Sequence, residues 1–321
     1  MSKPVTVAQT AAWLKEQDRI LILMHQYPDG DTIGSGFALC RALQALGKTV
    51  RTACHDVIPE KYAYMTDGVP QPAFEPDVIV AVDVADPKLL GESLQPLGDR
   101  VALCIDHHGS NKQYAQQLLL DANSTAAAML VAQVIDALGV ELDRAMAECL
   151  YTGVATDSGC FKYSNTDAAA HRLAARMIEL GARIEMINRE MFDVKSRARV
   201  ELERLALESM EFHCHGKVAF MAITNDMIAR SGAVENDMEG LAPIPRQIEG
   251  VWVGVTLRQK ADGSYKVSVR TGTHADASAI CDRLGGGGHM RAAGCAPQGD
   301  KAAVIDQLLE AIRQAVPRVN E

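Results

Sequence analysis

Residues 19–46 read RILILMHQYPDGDTIGSGFALCRALQAL, and this stretch decides the fold. Arg19–Met24 is a short continuous apolar run, the pattern of a strand buried on both faces. Thr32–Leu46 carries helical periodicity and stops at Gly47. Between them lies the loop His25-Gln-Tyr-Pro-Asp29-Gly-Asp31, where Pro28 and Gly30 supply turn geometry. Further apolar runs at Thr49–Cys54, Asp77–Val82 and Arg100–Ile105 repeat the strand pattern. Strands separated by helical segments predict a parallel α/β sheet, whose ligands collect at the carboxyl ends of the strands.

Beyond this sheet the periodicity becomes helical, over Ala126–Leu138, Arg144–Thr156 and Ala168–Leu180. Ile184–Phe212 alternates Glu and Arg at helical spacing and reads as one long, solvated connector helix. The C-terminal part differs. Lys217–Ile223 reads as a strand, Val251–Arg258 and Tyr265–Arg270 as a hairpin around Asp262–Gly263, and Asp276–Leu284 and Lys301–Val316 as helices. The expected organisation is a parallel-sheet α/β domain over 1–184, a helical connector over 185–213 and a smaller mixed α/β domain over 214–321. A length of 321 residues with 48% hydrophobic content supplies two such cores. The net charge of -9 argues against gripping long nucleic acid through its phosphates, but leaves room for a short nucleotide at a local metal and Arg/His cluster. Eight scattered cysteines form no CxxC pair, and most read as small core residues. The absence of a signal core or an apolar membrane-length stretch points to the cytoplasm and no membrane partner.

Acidic and histidine residues gather at the predicted strand ends. His25, Asp29 and Asp31 share one tight loop; one aspartate could serve as a helix N-cap, but three potential ligands exceed what capping needs. Asp83 ends the run VIVAV, while Asp86 before Pro87 reads as a turn residue. Asp106-His107-His108 ends VALCI. On an extended backbone the two histidines would point to opposite sides, so one binds metal and the other is free to face the substrate. Asp106 could hold a ring N–H from behind. Asp157 closes a mostly apolar helix, where a carboxylate needs a partner or an ion. Carboxylates and imidazoles in this number suit two hard or borderline ions, Mn²⁺ or Mg²⁺, with one bridging carboxylate. Gly285-Gly-Gly-Gly288-His289 reads as backbone opened to an anion rather than as packing, with Arg270 upstream as its cationic companion.

The loop around Asp29-Gly30-Asp31, the strand-end Asp83, Asp106-His107-His108, Thr156-Asp157-Ser158-Gly159 and the terminal GGGGHxxAAG-like segment together resemble the DHH phosphoesterase superfamily with its DHH-associated domain. The resemblance covers nearly the whole chain, and the two-domain length is similar to the oligoribonuclease (nanoRNase) and 3'-phosphoadenosine 5'-phosphate phosphatase branch. It implies that His25, Asp29 and Asp83 bind one ion and that Asp31, Asp83, His107 and Asp157 bind the second. His108 would contact the scissile phosphate, Asp106 would orient the site, and Arg270, Gly286, Gly287, Gly288 and His289 would hold the substrate. Tyr27 departs from the family, which more often has Asn before this Pro-Asp-Gly-Asp. After Arg270 the sequence Thr-Gly-Thr-His-Ala-Asp-Ala departs too, which bears on substrate choice.

The implied activity is metal-dependent hydrolysis of short oligoribonucleotides to 5'-mononucleotides, with dephosphorylation of 3'-phosphoadenosine 5'-phosphate, in a cytoplasmic enzyme that could pair as a homodimer. The rival enzyme reading is a phosphodiesterase for cyclic di-AMP or pApA. The rival from another class is a non-catalytic nucleotide-binding regulator, against which the complete ligand set argues.

Overall fold

In the computed structural model, which describes residues 2–238 and 240–320, the chain divides into two compact units, Met1–Val194 and Lys195–Glu321. The first unit runs β1 (Lys3–Pro4), α1 (Val7–Glu16), β2 (Ile20–Leu23), α2 (Gly30–Ala45), β3 (Val50–Ala53), α3 (Ala63–Thr66), β4 (Val78–Val82), β5 (Leu103–Asp106), β6 (Gln117–Leu120), α4 (Ala127–Leu138), α5 (Arg144–Asp157), α6 (Ala168–Glu179) and α7 (Ile184–Asn188). Its strands form one parallel sheet in the order β1-β6-β5-β4-β2-β3. The predicted α/β class stands, and the edge pair β1–β6 adds strands that the apolar runs do not announce.

The continuous apolar strands follow from two cores. Ile20, Ile22, Val80, Val82, Leu103 and Ile105 face the core built with α2, α4 and α5. Leu21, Leu23, Ile79, Ala81 and Cys104 face a smaller core on the other side, with Val84, Leu90 and Val101. Side chains alternate between faces, and both faces are covered, so the central strands β2 and β4 are apolar throughout. The sheet order reverses direction between β2 and β4, which makes their shared carboxyl edge the topological switch point where α/β sheets bind ligands.

The second unit contains α8 (Arg197–Glu208), β7 (Glu211–His213), β8 (Val218–Ile223), α9 (Asn225–Ser231), β9 (Val253–Gln259), β10 (Tyr265–Thr271), α10 (Ala277–Asp282), β11 (Gly287–His289), β12 (Ala292–Cys295) and α11 (Lys301–Ala315). Its sheet, β11-β12-β10-β9-β8-β7, is antiparallel except for the parallel pair β8–β9. One face packs on α10 and α11 through Val267, Val269, Ile280 and Leu308. Among the described residues no helix is long and apolar enough to cross a membrane.

The single connector helix expected over Ile184–Phe212 is not formed. α7 passes into one π-turn at Arg189–Asp193, and α8 starts afresh at Arg197. Ser196 is the reason: its backbone is extended at φ -64° and ψ 155°, and its hydroxyl accepts from the Arg199 amide as a new N-cap. Nor is α8 solvated all round, since Leu202 and Ala206 are buried with Met221 and Ile223 of β8.

Candidate metal centre

The first loop of the centre is fixed by its helix. Asp29 is the N-cap of α2, and its Oδ1 accepts from the amides of Asp31 and Thr32. Asp29 therefore caps the helix and still lies 3.6 Å from His25 Nε2. The His25 Nδ1–H donates to the Gln26 carbonyl at 2.8 Å, which turns Nε2 toward Asp29 and toward Asp83 Oδ2, also at 3.6 Å. Asp31 is fully buried. Its carboxylate accepts from the amides of Ala127 and Ala128 at 2.6 and 2.9 Å and from the Ser35 hydroxyl at 3.1 Å. α4 has no side-chain cap of its own, so Asp31 satisfies its first amides and gains from the helix dipole.

Asp83 follows β4 in a left-handed conformation, φ 59°, while 3% exposed. A buried, non-glycine residue held there is a strained position of the kind concentrated at functional sites. Asp106 closes β5 and is fully buried. It accepts from the amides of His107 and His108, from His108 Nδ1 at 2.8 Å and from the Asn111 side chain at 2.6 Å. The expectation that the two histidines point to opposite sides is corrected here. Their ring centroids are 4.5 Å apart, because β5 ends at Asp106 and strand alternation does not reach them. His107 donates from Nδ1 to the Ser124 carbonyl at 3.1 Å, which leaves Nε2 facing Asp157 Oδ2 at 3.2 Å, Asp83 Oδ1 at 3.5 Å and Asp31 Oδ2 at 3.8 Å.

Asp157 reaches this point because α2 and α5 cross at glycines. A Cβ at Gly34 would collide with the Cys149 carbonyl oxygen, and one at Gly153 would fall 2.6 Å from the Ala128 Cβ and 2.8 Å from Asp31 Oδ1. The close crossing brings the last residue of α5 to the first turn of α2.

Among the described residues, three sets of side chains have ligand atoms near enough to share an ion: His25, Asp29 and Asp83; Asp31, His107 and Asp157; and Asp83, His107 and His108. The donor set fits a cation on a second ground. Asp83 Oδ1 and His107 Nε2 are buried without a hydrogen-bond partner, 3.5 Å apart. Buried polar atoms left unpaired are costly, and an ion between them removes the cost.

Metal-free, the cluster repels itself. Burial, then the charge of Asp31, holds the Asp83 carboxyl well above its usual range. Burial, with the charges of Asp31 and Asp29, pushes Asp157 up to about 8. For His25, burial is outweighed by Asp29 and Asp83, which raise it to about 11. The bond to Asp106 leads in raising His108 to about 9. An acid raised on folding adds stability below its unfolded pKa and loses it as pH rises through the folded value; a raised histidine does the same from its own unfolded pKa upward. Both sets act in one direction, so the melting temperature of metal-free protein falls from about pH 6 to about pH 9. A divalent cation held by these groups would compete with those protons, so the stabilising shift on adding Mn²⁺ is expected to grow over the same interval. Thermal melts with and without chelator check this; a metal-free melting temperature that rises with pH contradicts it.

In the second unit, the strand register sets Arg270 of β10 opposite Ala292 of β12, and Ala292 opposite His289 of β11. Residues opposite one another share a sheet face, so Arg270 and His289 flank one small residue on the face away from Val269 and Ala293 of the core. Arg270 is half-buried, and burial lowers its pKa. Its guanidinium donates to the Val269 carbonyl at 3.1 Å. The reading of Gly285–Gly288 as free of packing duty is corrected. A Cβ at Gly286 would meet the Gly294 carbonyl, and one at Gly288, with φ 148°, would lie 2.6 Å from the Ala293 Cα. Two of the four glycines are thus needed for the hairpin itself, while Gly287 is exposed.

Sequence reading missed Ser35, Asn111 and Ser124, which hold Asp31, Asp106 and His107 in turn. Ser124 acts through its backbone carbonyl, which side-chain patterns do not reveal. The one signal for Asp31's partner is that α4 begins on alanines with no capping residue.

The chain matches the DHH family N-terminal domain over residues 19–154 and the DHHA1 domain over residues 215–317. It is 33% identical to the bifunctional oligoribonuclease and PAP phosphatase NrnA of Thermus thermophilus over 93% of this chain and 90% of that one. It is 22% identical to the probable protein of that name from Streptococcus mutans, over 88% and 91% of the two chains. An exopolyphosphatase-related protein from Bacteroides fragilis shares the fold with a TM-score of 0.86 at 23% identity, over 98% of this chain and 97% of that one. By fold and site together the protein is a phosphoric ester hydrolase. The chain belongs to the DHH family, with a DHHA1 domain following the catalytic one.

Proposed function

We propose that the enzyme hydrolyses short oligoribonucleotides to 5'-mononucleotides and also dephosphorylates 3'-phosphoadenosine 5'-phosphate, using two divalent cations, Mn²⁺ before Mg²⁺. The observation that carries the metal-dependent part is the pair of buried, unpartnered atoms, Asp83 Oδ1 and His107 Nε2, facing each other at a sheet switch point. The names of the relatives support the substrate class.

His25, Asp29 and Asp83 would hold one cation, and Asp31, Asp83, His107 and Asp157 the other, with Asp83 shared. Bound cations supply charge neutralisation at the phosphoryl group and acidify a water for attack. Asp106 keeps His108 oriented by its bond to Nδ1, so that the other ring nitrogen can donate to a phosphate or leaving oxygen. In the second unit, Arg270 and His289, with Gly286, Gly287 and Gly288 around them, would bind the substrate's charged end. An arginine can grip a phosphate with two parallel N–H bonds, which lysine cannot. Arg270→Ala is therefore expected to raise KM about tenfold or more with a smaller change in kcat, and Arg270→Lys to recover only part. Steady-state kinetics on an RNA dinucleotide measure this; an unchanged KM removes Arg270 from the site.

The test of the function is a turnover panel with Mn²⁺ over RNA dinucleotides to pentanucleotides, pApA, cyclic di-AMP and 3'-phosphoadenosine 5'-phosphate. Release of mononucleotides from the short RNAs and of phosphate from the bisphosphate supports the reading. Turnover confined to cyclic di-AMP or pApA would favour the rival phosphodiesterase, and binding without turnover would favour the regulator.

A further inference from the structure

We propose that Tyr27 is a stacking platform for a base of the substrate next to the scissile phosphate, and so determines specificity at the centre; this rests on the nucleotide reading given above. Tyr27 stands two residues after His25 and two before Asp29 in the loop that carries both. Its side chain is out in solvent: the residue is 75% exposed, the largest exposure of a tyrosine among the described large hydrophobic residues. Among the described residues, its ring makes no ring contact and its hydroxyl no hydrogen bond.

The backbone shows that this exposure is held in place. Tyr27 has φ 52°, a left-handed conformation that suits Gly, Asn or Asp and strains a bulky residue. Its amide donates to Asp56 Oδ2 at 2.7 Å, which fixes the loop from the side of β3. A large aromatic therefore occupies a position where a small polar residue would be more stable, in the loop between the candidate ligands His25 and Asp29, with its ring mostly exposed. Strain of this kind is retained where it serves function. An exposed ring on a pinned backbone is what stacking on a base requires, since every base offers a π-face and a rigid platform loses little entropy. Tyr163, in the turn after Asp157, is less suited. Its ring lies so close to Gly159 that a Cβ there would collide with it, which occupies one of its faces.

The test compares wild type, Tyr27→Phe and Tyr27→Asn on RNA dinucleotides and on the same dinucleotides with one base removed. Tyr27→Asn is expected to raise KM for the intact dinucleotide about five- to tenfold, the low end of base–aromatic stacking, with kcat little changed. Tyr27→Phe keeps the wild-type KM. One of the two abasic dinucleotides shows a raised KM with wild type and is indifferent to Tyr27→Asn. Tyr27→Asn melts no lower than wild type, because Asn accepts this backbone more readily, so a folding defect is not the cause. An unchanged KM for Tyr27→Asn with an active wild type overturns the proposal alone. A raised KM for Tyr27→Phe overturns it by pointing to the hydroxyl instead. A wild type inactive on every dinucleotide overturns this proposal together with the nucleotide reading beneath it.

Discussion

Asp83→Asn is expected to remove turnover by more than about a hundredfold while leaving metal-free protein at least as stable as wild type. The two effects share one cause. Asp83 is buried, and one of its oxygens has no hydrogen-bond partner. In metal-free protein its ionisation is opposed by burial and by Asp31, so a neutral amide of the same shape relieves that cost. Asparagine also tolerates the left-handed backbone at φ 59°. What the amide cannot do is supply the negative charge that the proposed pair of cations would share. The signature is thus a melting temperature that is level or higher without metal and no longer rises when Mn²⁺ is added. Mn²⁺ stabilisation equal to that of wild type would mean that Asp83 is not a ligand.

The second large effect is expected at a residue that offers no ligand atom itself but lies one turn from Asp31 in α2. Gly34→Ala places a methyl group against the Cys149 carbonyl oxygen where α2 crosses α5. A backbone atom cannot swing away as a side chain can, so the helices must separate, at a cost of about 3 kcal/mol. For a unit of this size that lowers the melting temperature by roughly 6–12 °C. Because the same crossing brings Asp157 of α5 to Asp31 of α2, Mn²⁺ affinity should fall with stability. Gly47→Ala is the control. Gly47 has φ 78° and open space around it, so the change costs about 1 kcal/mol through backbone strain alone and leaves the metal response intact. Equal losses of Mn²⁺ response in both variants would show that general destabilisation, not the crossing, is at work.

The central strands β2, β4 and β5 were legible because each contains an apolar run, and His25, Asp83 and Asp106-His107-His108 stand at or just past their ends. Asp83 and Asp106 stand at strand ends in the sequence as they do in the fold. What stayed hidden depends on contacts between distant segments. The bond from His107 to the Ser124 carbonyl joins two loops, and the cap that Asp31 provides joins α2 to α4. Local reading also misjudged two backbones. Ser196 stops a helix whose charge pattern runs through it, and Gly286 and Gly288 answer to a strand that lies after them in the chain. In both cases the deciding partner or conformation leaves no mark on hydrophobic periodicity.

The most direct measurement is mononucleotide release from an RNA dinucleotide by metal-stripped protein titrated with Mn²⁺, with Asp83→Asn alongside. No release is expected before metal is added, full release near two equivalents per chain, and none from the variant. Release that persists in chelator, or full activity in Asp83→Asn, would contradict metal-dependent hydrolysis at this centre.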